Sequence, residues 1–120
     1  MKYALLIYSD YSDPQMRQNA SEESIHEMYA AFGRFTEELR AAGKLGPAEE
    51  LEGPETAKSV RIRGGQTLVT DGPFAEAHEH LGGLYIIDAE NIDEAVGWAA
   101  KVPSVDSGTV EVRAIAPEPA

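Results

Sequence analysis

The stretch "KYALLIY", residues 2–8, is apolar at both of its alternating sets of positions. The two sets are Tyr3, Leu5 and Ile7 on one side and Ala4, Leu6 and Tyr8 on the other. Because successive side chains of a strand point to opposite faces of the sheet, this pattern predicts a strand that is buried on both sides. The fold must therefore supply a cover for each face of the sheet.

An amphipathic helix is predicted after this strand, beyond a predicted loop over residues 9–20. Its apolar positions recur at steps of three and four residues, at Ile25, Met28, Phe32, Phe35, Leu39 and Ala42. This spacing predicts about five helical turns with one buried face. Ser24 and Glu27 have the spacing of a capping box, although Ser21 is an alternative N-cap. His26 lies off the apolar stripe and is expected to face water.

The middle of the chain contains a loop signal and a hairpin signal. Residues 46–57, "GPAEELEGPETA", contain two Gly-Pro pairs and four glutamates, which predicts a surface loop with one short extended piece. In "SVRIRGGQTLVTD", residues 59–71, two alternating runs are joined by two glycines, which predicts a β-hairpin. A two-residue loop predicts the cross-strand pairs Val60 with Val69 and Arg61 with Leu68.

The last third of the chain predicts a strand, a helix and a strand. "LYIIDA", residues 84–89, is again apolar on both faces. Asn91 and Glu94 resemble a capping pair that opens a helix, which ends before Pro103. The apolar side of this helix is expected to carry Ile92, Ala95, Val96, Ala99 and Ala100. "GTVEVRAIA", residues 108–116, alternates as a final strand.

This order of elements predicts one α+β domain over residues 1–116, with residues 117–120 as a frayed tail. Two helices can cover only one face of an antiparallel sheet, and at least two strands are apolar on both faces. The simplest cover for the second face is the same face of a second copy. The sequence therefore predicts a homodimer in which two sheets pack around a twofold axis as a closed or nearly closed barrel.

The composition limits the partners of this domain. The 120 residues include 10 Lys and Arg against 21 Asp and Glu, a net charge of −11. Such a charge repels phosphate backbones and anionic lipids, which argues against nucleic-acid and membrane-surface roles. The absence of cysteine excludes disulfides and thiolate nucleophiles. The short apolar run at the start does not fit a signal peptide or a membrane span, so a cytoplasmic protein is predicted.

Five blocks of this sequence resemble the YCII-related family, specifically its DGPF subgroup. The blocks are "MKYALLIYSD" (1–10), "FTEELRAAGKL" (35–45), "LVTDGPFAE" (68–76), "LGGLYIIDAENIDEAVGWAAKVPS" (81–104) and "GTVEVRAI" (108–115). The resemblance covers most of the chain. It implies a ferredoxin-like α+β domain that pairs into a dimeric α/β barrel, in a subgroup whose activity is unsettled.

The resemblance also implies a place for chemistry. Some relatives are proposed to be small enzymes that use a histidine of the first helix with an aspartate at the end of the first strand. Asp10 matches the aspartate, whereas Phe32 stands where the histidine is expected. The implied function is a small cofactor-independent enzyme that acts on a small molecule near the end of the first strand. The alternative is a non-catalytic module that binds a small ligand or a protein, with a regulatory role implied by the association of such genes with sigma factors.

Two aspartates are candidate catalytic groups. Asp10 follows a strand that is apolar on both faces, and partial desolvation at the mouth of a cleft would favour its use as a base. The alternative is a turn aspartate that accepts backbone N–H groups. Asp71 opens the tetrapeptide of residues 71–74, which we interpret mainly as a corner. In that interpretation Gly72 relieves the crowding imposed by the following proline, and Phe74 fills the core.

The segment His78-Glu79-His80 is a candidate metal site. Two imidazoles lie on one side of an extended segment, with Glu76 as a possible third ligand. Such clusters also arise by chance in an acidic protein. No cofactor is predicted for this chain.

Basic residues near the hairpin and the last strand are candidates for binding a small anionic ligand. They are Lys58, Arg61, Arg63 and Arg113. Arginine forks can hold a carboxylate or a phosphate, so Arg61 and Arg113, together with Tyr8, are candidate ligand-binding residues. The alternative is that these cations pair with neighbours such as Asp71 and Glu111.

Overall fold

The computed structural model describes residues 1–10, 14–74 and 79–119, which form six strands and three α-helices. The strands are β1 (Lys2–Ser9), β2 (Leu45–Glu50), β3 (Lys58–Arg63), β4 (Gln66–Asp71), β5 (His80–Asp88) and β6 (Thr109–Ala114). The helices are α1 (Pro14–Asn19), α2 (Glu22–Ala41) and α3 (Ile92–Ala99), and a 3-10 turn covers Pro54–Thr56. No helix in these ranges is long and apolar enough to cross a bilayer.

Four strands form one antiparallel sheet in the order β2-β5-β1-β6. The hairpin β3–β4 forms a separate two-stranded sheet. Without the hairpin and the short α1, the chain runs strand, helix, strand, strand, helix, strand. This order, with β1 and β5 in the centre of the sheet, is the predicted ferredoxin-like α+β arrangement, which the structure confirms.

Helices α2 and α3 cover one face of the four-stranded sheet. Leu5 in the central strand is completely buried there, and Leu39 of α2 is completely buried as well. The ring of Phe35 meets the ring of Tyr85 edge-on at 5.2 Å and that of Trp98 at 6.4 Å. These contacts make one apolar core between a sheet and a single layer of helices.

The second face of this sheet, which we call the open face, is also apolar. Alternation along β1 and β5 places on it Ala4, Leu6, Tyr8, Leu84 and Ile86, with Leu6 opposite Leu84 and Ala4 opposite Ile86. The molecule measures 50 × 48 × 18 Å. Because its thinnest dimension accommodates only a sheet and one layer of helices, the open face lies at the outside of the chain.

The caps and the hairpin register agree with the sequence signals. Ser21, not Ser24, is the N-cap of α2, and its side chain accepts a hydrogen bond from the Ser24 backbone N–H at 3.1 Å. At α3, the Asn91 side chain accepts from the Glu94 N–H at 2.9 Å, as predicted. The hairpin pairs Val60 with Val69 and Arg61 with Leu68, also as predicted. His26 is exposed, as expected.

Two expectations about secondary structure and burial were wrong. Residues 14–19 of the predicted loop 9–20 form α1, a helix too short to show an apolar stripe. The short extended piece predicted within residues 46–57 is most of β2, an edge strand in which a bulge between Leu45 and Ala48 accommodates a proline. On α3, only Ala95 and Ala99 are buried, whereas Ile92 and Val96 are about half exposed.

The hairpin β3–β4, which we call the arm, has little burial of its own. Every residue of β4 is exposed, and Ser59 is the only residue of β3 that is not. The two ends of the arm are close together, because the backbone N–H of Gly72 donates to the carbonyl of Ala57 at 2.8 Å. The arm is therefore a ribbon that leaves the body of the domain and returns to it at one place.

Candidate functional site

The end of β1 brings together residues from three strands, and we call this place the strand-end site. Ser9 is in register with His80, the first residue of β5, and Tyr8 is in register with Thr109, the first residue of β6. Asp10 follows directly after β1. A bulge in β5 between the partners of Ile7 and Tyr8 lies at the same end of the sheet. Polar residues thus meet where a buried strand ends, a common location for a binding or catalytic site.

The two faces of the strand end carry different groups. Tyr8 and Thr109 lie on the open face, whereas Ser9 and His80 lie on the face covered by the helices. The hydroxyl of Thr109 donates to a carboxylate oxygen of Glu79 at 2.8 Å. Because Thr109 begins β6 and Glu79 directly precedes β5, the strands on either side of β1, this hydrogen bond spans the end of β1. It places a carboxylate at the edge of an apolar surface, a combination typical of small-molecule sites.

A glycine allows β6 to begin beside the end of β1. A Cβ at Gly108 would lie 2.3 Å from the carbonyl oxygen of Tyr8 and 3.2 Å from the Cβ of Ser9. The backbone N–H of Gly108 donates to the carbonyl of Ser104 at 2.8 Å, which fixes the preceding turn. The hydroxyl of Ser104 is buried and has no hydrogen-bond partner among the described residues. The strand end is therefore closely packed on its β6 side.

Asp10 is exposed in the single chain. Its predicted role as a base depends on desolvation, and the described residues of one copy do not provide it. The role of Asp10 as an acid or base stays a prediction.

The candidate metal ligands are only partly within the described residues. His80 is half-buried at the start of β5, while Glu76 and His78 lie outside the ranges that the structure describes. Within those ranges, no group of three or more histidine, aspartate or glutamate side chains is arranged to hold a metal ion. The structure instead places His80 beside Ser9, the residue that precedes Asp10, an association that the sequence analysis did not make.

Helix α2 carries a phenylalanine at the position where the family resemblance implies a histidine. This residue, Phe32, is half-buried and packs against the core. Its carbonyl accepts a hydrogen bond from the hydroxyl of Thr36, which also bonds the Tyr85 hydroxyl at 2.8 Å. This part of α2 thus packs on the sheet, and among the described residues the strand register places His80 beside Ser9 at the strand end.

The tetrapeptide of residues 71–74 closes the base of the arm. The carboxylate of Asp71 forms an ion pair with Lys58 across the two strands. Gly72 has a φ angle of +91°, a conformation that favours glycine, and its carbonyl accepts from the Ser59 hydroxyl at 2.8 Å. The corner interpretation agrees with these contacts, and the catalytic role of Asp71 stays a prediction.

Phe74 does not fill the core, so that expectation was wrong. Its side chain is 74% exposed. The guanidinium of Arg61 lies over its ring, 4.5 Å from the centroid. This cation–π contact holds the ring against the arm instead of the body of the domain.

The candidate ligand-binding residues do not converge within one chain. Tyr8 lies at the strand end, and Arg61 lies on the arm. Arg113 is paired with Ala4, which precedes Tyr8 by four residues in β1. Along the strand, Arg113 therefore lies about 13 Å from Tyr8. Its guanidinium forms an ion pair with Glu111 of the same strand. A single anion site that uses these three residues is therefore not formed within one copy.

The described groups with shifted pKa values lie away from the strand end. Lys44 Nζ is 3.0 Å from Glu94 Oε1, and this hydrogen bond raises the pKa of Lys44. The backbone N–H of Glu90, which donates to Glu94 Oε2 at 3.0 Å, is the main cause that lowers the pKa of Glu94, and Lys44 lowers it further. This pair joins the start of β2 to the first turn of α3, so its role is structural.

The chain matches known proteins over nearly its whole length. The model of the YCII-related domain family matches residues 1–119. An uncharacterized protein of Rhizobium meliloti (strain 1021) is 37% identical over 118 residues, which cover 97% of this chain and 93% of the relative. Both matches extend across every element from β1 to β6. They therefore concern the whole fold and not only the corner at residues 71–74.

Proposed function

This chain belongs to the YCII-related family, and we propose that it is a small cofactor-independent enzyme that acts on a small molecule at the strand-end site. The observation that carries the proposal is the register of Ser9 with His80, which sets a histidine beside the residue that precedes Asp10. The assignment to the DGPF subgroup is part of the same proposal and rests on the tetrapeptide at residues 71–74.

The proposed chemistry is acid–base catalysis by His80 and Asp10. Histidine and aspartate are side chains that commonly transfer protons in active sites. Neighbouring strands lie about 4.8 Å apart, so the backbones of Ser9 and His80 are adjacent and Asp10 is one residue further along. His80 is on the helix-covered face, the side from which the family resemblance implies a histidine of the first helix. In this proposal, His80 of β5 supplies the imidazole that α2 lacks, because Phe32 stands where the resemblance implies a histidine.

The proposed substrate is a neutral or cationic small molecule. Glu79 and Asp10 place carboxylates at the strand end, and the chain carries a net charge of −11. A negative field of this kind repels anions and favours neutral or positively charged ligands. The candidate anion-binding arginines, which are those of the arm and Arg113, lie away from the strand end.

We also propose that the chain functions as a homodimer that covers the open face. Leu6, Leu84 and Ile86 are only half-buried in one copy. A second copy would bury these side chains and desolvate the side of the strand end where Tyr8 lies. Water exclusion of this kind strengthens the electrostatic interactions within a site.

The test is a thermal-shift screen of the full chain against neutral and cationic small molecules, followed by turnover assays on each compound that raises the unfolding temperature. The variants are His80→Asn and Asp10→Asn, and the matched control is His26→Asn, a histidine exposed on α2. Each of the first two changes is expected to lower kcat by roughly 10²-fold or more, because each removes a group that transfers a proton. His26→Asn is expected to retain full turnover. Unchanged kcat in both site variants would contradict the proposal.

The second candidate function is a non-catalytic module that binds a small ligand or a protein partner in a regulatory role. The observation that favours it is the core packing of Phe32 at the position where the resemblance implies a catalytic histidine. Under this alternative, a ligand raises the unfolding temperature, and His80→Asn weakens binding, yet no compound is converted. The thermal shift and the turnover assay therefore distinguish the two functions.

A further inference from the structure

The arm carries an apolar face that the described body of its own chain does not cover. Val60 and Val69 are cross-strand partners, and Ile62 lies on the same face, opposite Thr67. Val60, Ile62 and Val69 are 61%, 64% and 58% exposed. A two-stranded ribbon alone is at best marginally stable in water. Three exposed β-branched side chains in a row therefore indicate a surface that packs against a partner.

The charge of the arm is opposite to that of the rest of the chain. Residues 58–71 contain three basic side chains and one acidic side chain, a net charge of +2. Since the whole chain has a net charge of −11, the remaining residues carry −13. Arg61 and Arg63 lie on the face of the ribbon opposite to Val60 and Ile62. The arm therefore complements a surface that is apolar and bordered by carboxylates.

The body of the same chain has such a surface along β2. Glu49 is opposite Leu84, whose next cross-strand neighbour on the open face is Leu6. Glu49 is exposed, and it lies on the outer edge of the sheet because β2 is its first strand. Glu50 is paired with Gly83 on the helix-covered face, where its carboxylate accepts a hydrogen bond from the Tyr29 hydroxyl at 2.9 Å. The apolar centre of the open face is therefore bordered by the carboxylate of Glu49 at the β2 edge.

We propose that the arm is a clasp between two copies, in which each arm packs its apolar face on the body of the other copy along the β2 border of the open face. Arg61 and Arg63 reach the Glu49 carboxylate at that border, since a long arginine stem can lie along the ribbon while its charged head extends past the edge. A second copy is the occupant because one chain carries both complementary surfaces. This proposal deepens the homodimer on which the proposed site depends.

The first experiment changes one face of the arm at a time in the full chain. Ile62→Asp places a charge on the apolar face, and Gln66→Asp places the same charge on the opposite face as the matched control. Association is measured by sedimentation velocity from about 1 to 100 µM, because a dimer dissociates on dilution. Ile62→Asp is expected to raise the dimer Kd at least about tenfold, while Gln66→Asp has a much smaller effect.

A charge exchange tests where the arm binds. The double variant Arg61→Glu/Arg63→Glu and the variant Glu49→Lys are each expected to self-associate weakly, because like charges then face each other. An equimolar mixture is expected to recover a heterodimer close to the wild-type Kd, since both arm contacts are again between opposite charges. Added salt is expected to weaken the wild-type dimer, as it screens these contacts.

Each contrary result overturns the clasp. A wild-type chain that is still a monomer at about 100 µM, the upper end of the dilution series, would show that no such dimer forms. An Ile62→Asp variant that dimerises as the wild type does would show that the arm is not part of the interface. A lower unfolding temperature for Ile62→Asp without a change in association would mean that the arm folds onto its own chain. Failure of the mixture to associate would contradict the β2 border as the acceptor.

The failure of the clasp and the failure of the proposed function are distinguishable. Turnover is measured for Ile62→Asp at a protein concentration high enough to populate the dimer, where a clasp variant retains its kcat. His80→Asn, by contrast, is expected to lose turnover while its dimer Kd is unchanged.

Discussion

The body and the arm of this protein are both built from alternating strands, but they obtain their stability in different ways. In the body, β1 and β5 pack one face against two helices, and Leu5 and Ile87 are fully buried. In the arm, β3 and β4 make an equally regular ladder, yet nearly all of its side chains are exposed. The comparison teaches that alternation predicts a strand but does not predict whether the surface that covers it belongs to the same chain.

The largest expected effect is in the core of the body. Phe35 is 2% exposed and contacts the rings of Tyr85 and Trp98, so Phe35→Ala is expected to reduce the free energy of unfolding by about 3–5 kcal/mol. Val60→Ala in the arm is the contrasting change. Because Val60 is 61% exposed in one chain, its effect in dilute protein is expected to be within about 0.5 kcal/mol. Urea unfolding of both variants at one low protein concentration measures the difference, and similar losses would abolish the distinction between body and arm.

Two glycine substitutions sharpen the comparison within the body. Gly108→Ala is expected to destabilise the protein by about 1–3 kcal/mol, since the added Cβ would meet the Tyr8 carbonyl. Gly33→Ala is the matched control in α2, where a Cβ meets no atom within 4 Å. It is expected to stabilise the helix by about 0.5–1 kcal/mol. Thermal unfolding of the two variants should therefore shift in opposite directions, and a stable Gly108→Ala would show that β6 does not begin as close to β1 as described.

The smallest effect concerns the pair Lys44–Glu94 and depends on pH. The lowered pKa of Glu94 stabilises the fold above the ordinary value of 4.5, and this contribution is lost as the pH falls through the lowered value. The raised pKa of Lys44 stabilises it fully below 10.5, and this contribution is lost as the pH rises through the raised value. The difference in Tm between the wild type and Glu94→Gln is therefore expected to be greatest near neutrality and to shrink below pH 4.5.

A control for this pH effect is Glu38→Gln, which removes the same charge from an exposed pair with Lys101. A Tm difference for Glu94→Gln that stays constant down to strongly acidic pH, or that matches the Glu38→Gln profile, would contradict the role assigned to the Lys44–Glu94 pair.

Most of the fold could be predicted because its signals are local. The apolar positions of β1, the cap at Asn91 and the two-glycine turn of the arm each specify an element from a few consecutive residues. β2 was not predicted in full because Gly46 and Pro47 indicate a loop, and an edge strand with a bulge tolerates both residues through its pairing with β5. That pairing is a property of the sheet and has no local signal.

The candidate site was harder to predict than the fold because it depends on register between distant strands. Asp10 was identified from the end of β1, and His80 was identified separately as a weak metal ligand. The position of His80 beside Ser9, the residue before Asp10, follows from a strand register that includes a bulge, which the sequence does not indicate. Phe74 was wrongly expected in the core because an aromatic side chain beside a turn is usually buried, whereas here it lies against Arg61 on the arm.

The hydrogen bond between Gly72 and Ala57 has a consequence for engineering this protein. It fixes the two points at which the arm joins the body side by side, so the segment between them can change in length without moving β2 or β5. The arm could therefore be lengthened in pairs of residues, or exchanged for another hairpin, with the four-stranded sheet kept as a constant scaffold. The pair Ala57 and Gly72 therefore marks a site at which another hairpin can be grafted. The specificity with which copies recognise each other can be redesigned there independently of the chemistry at the strand end.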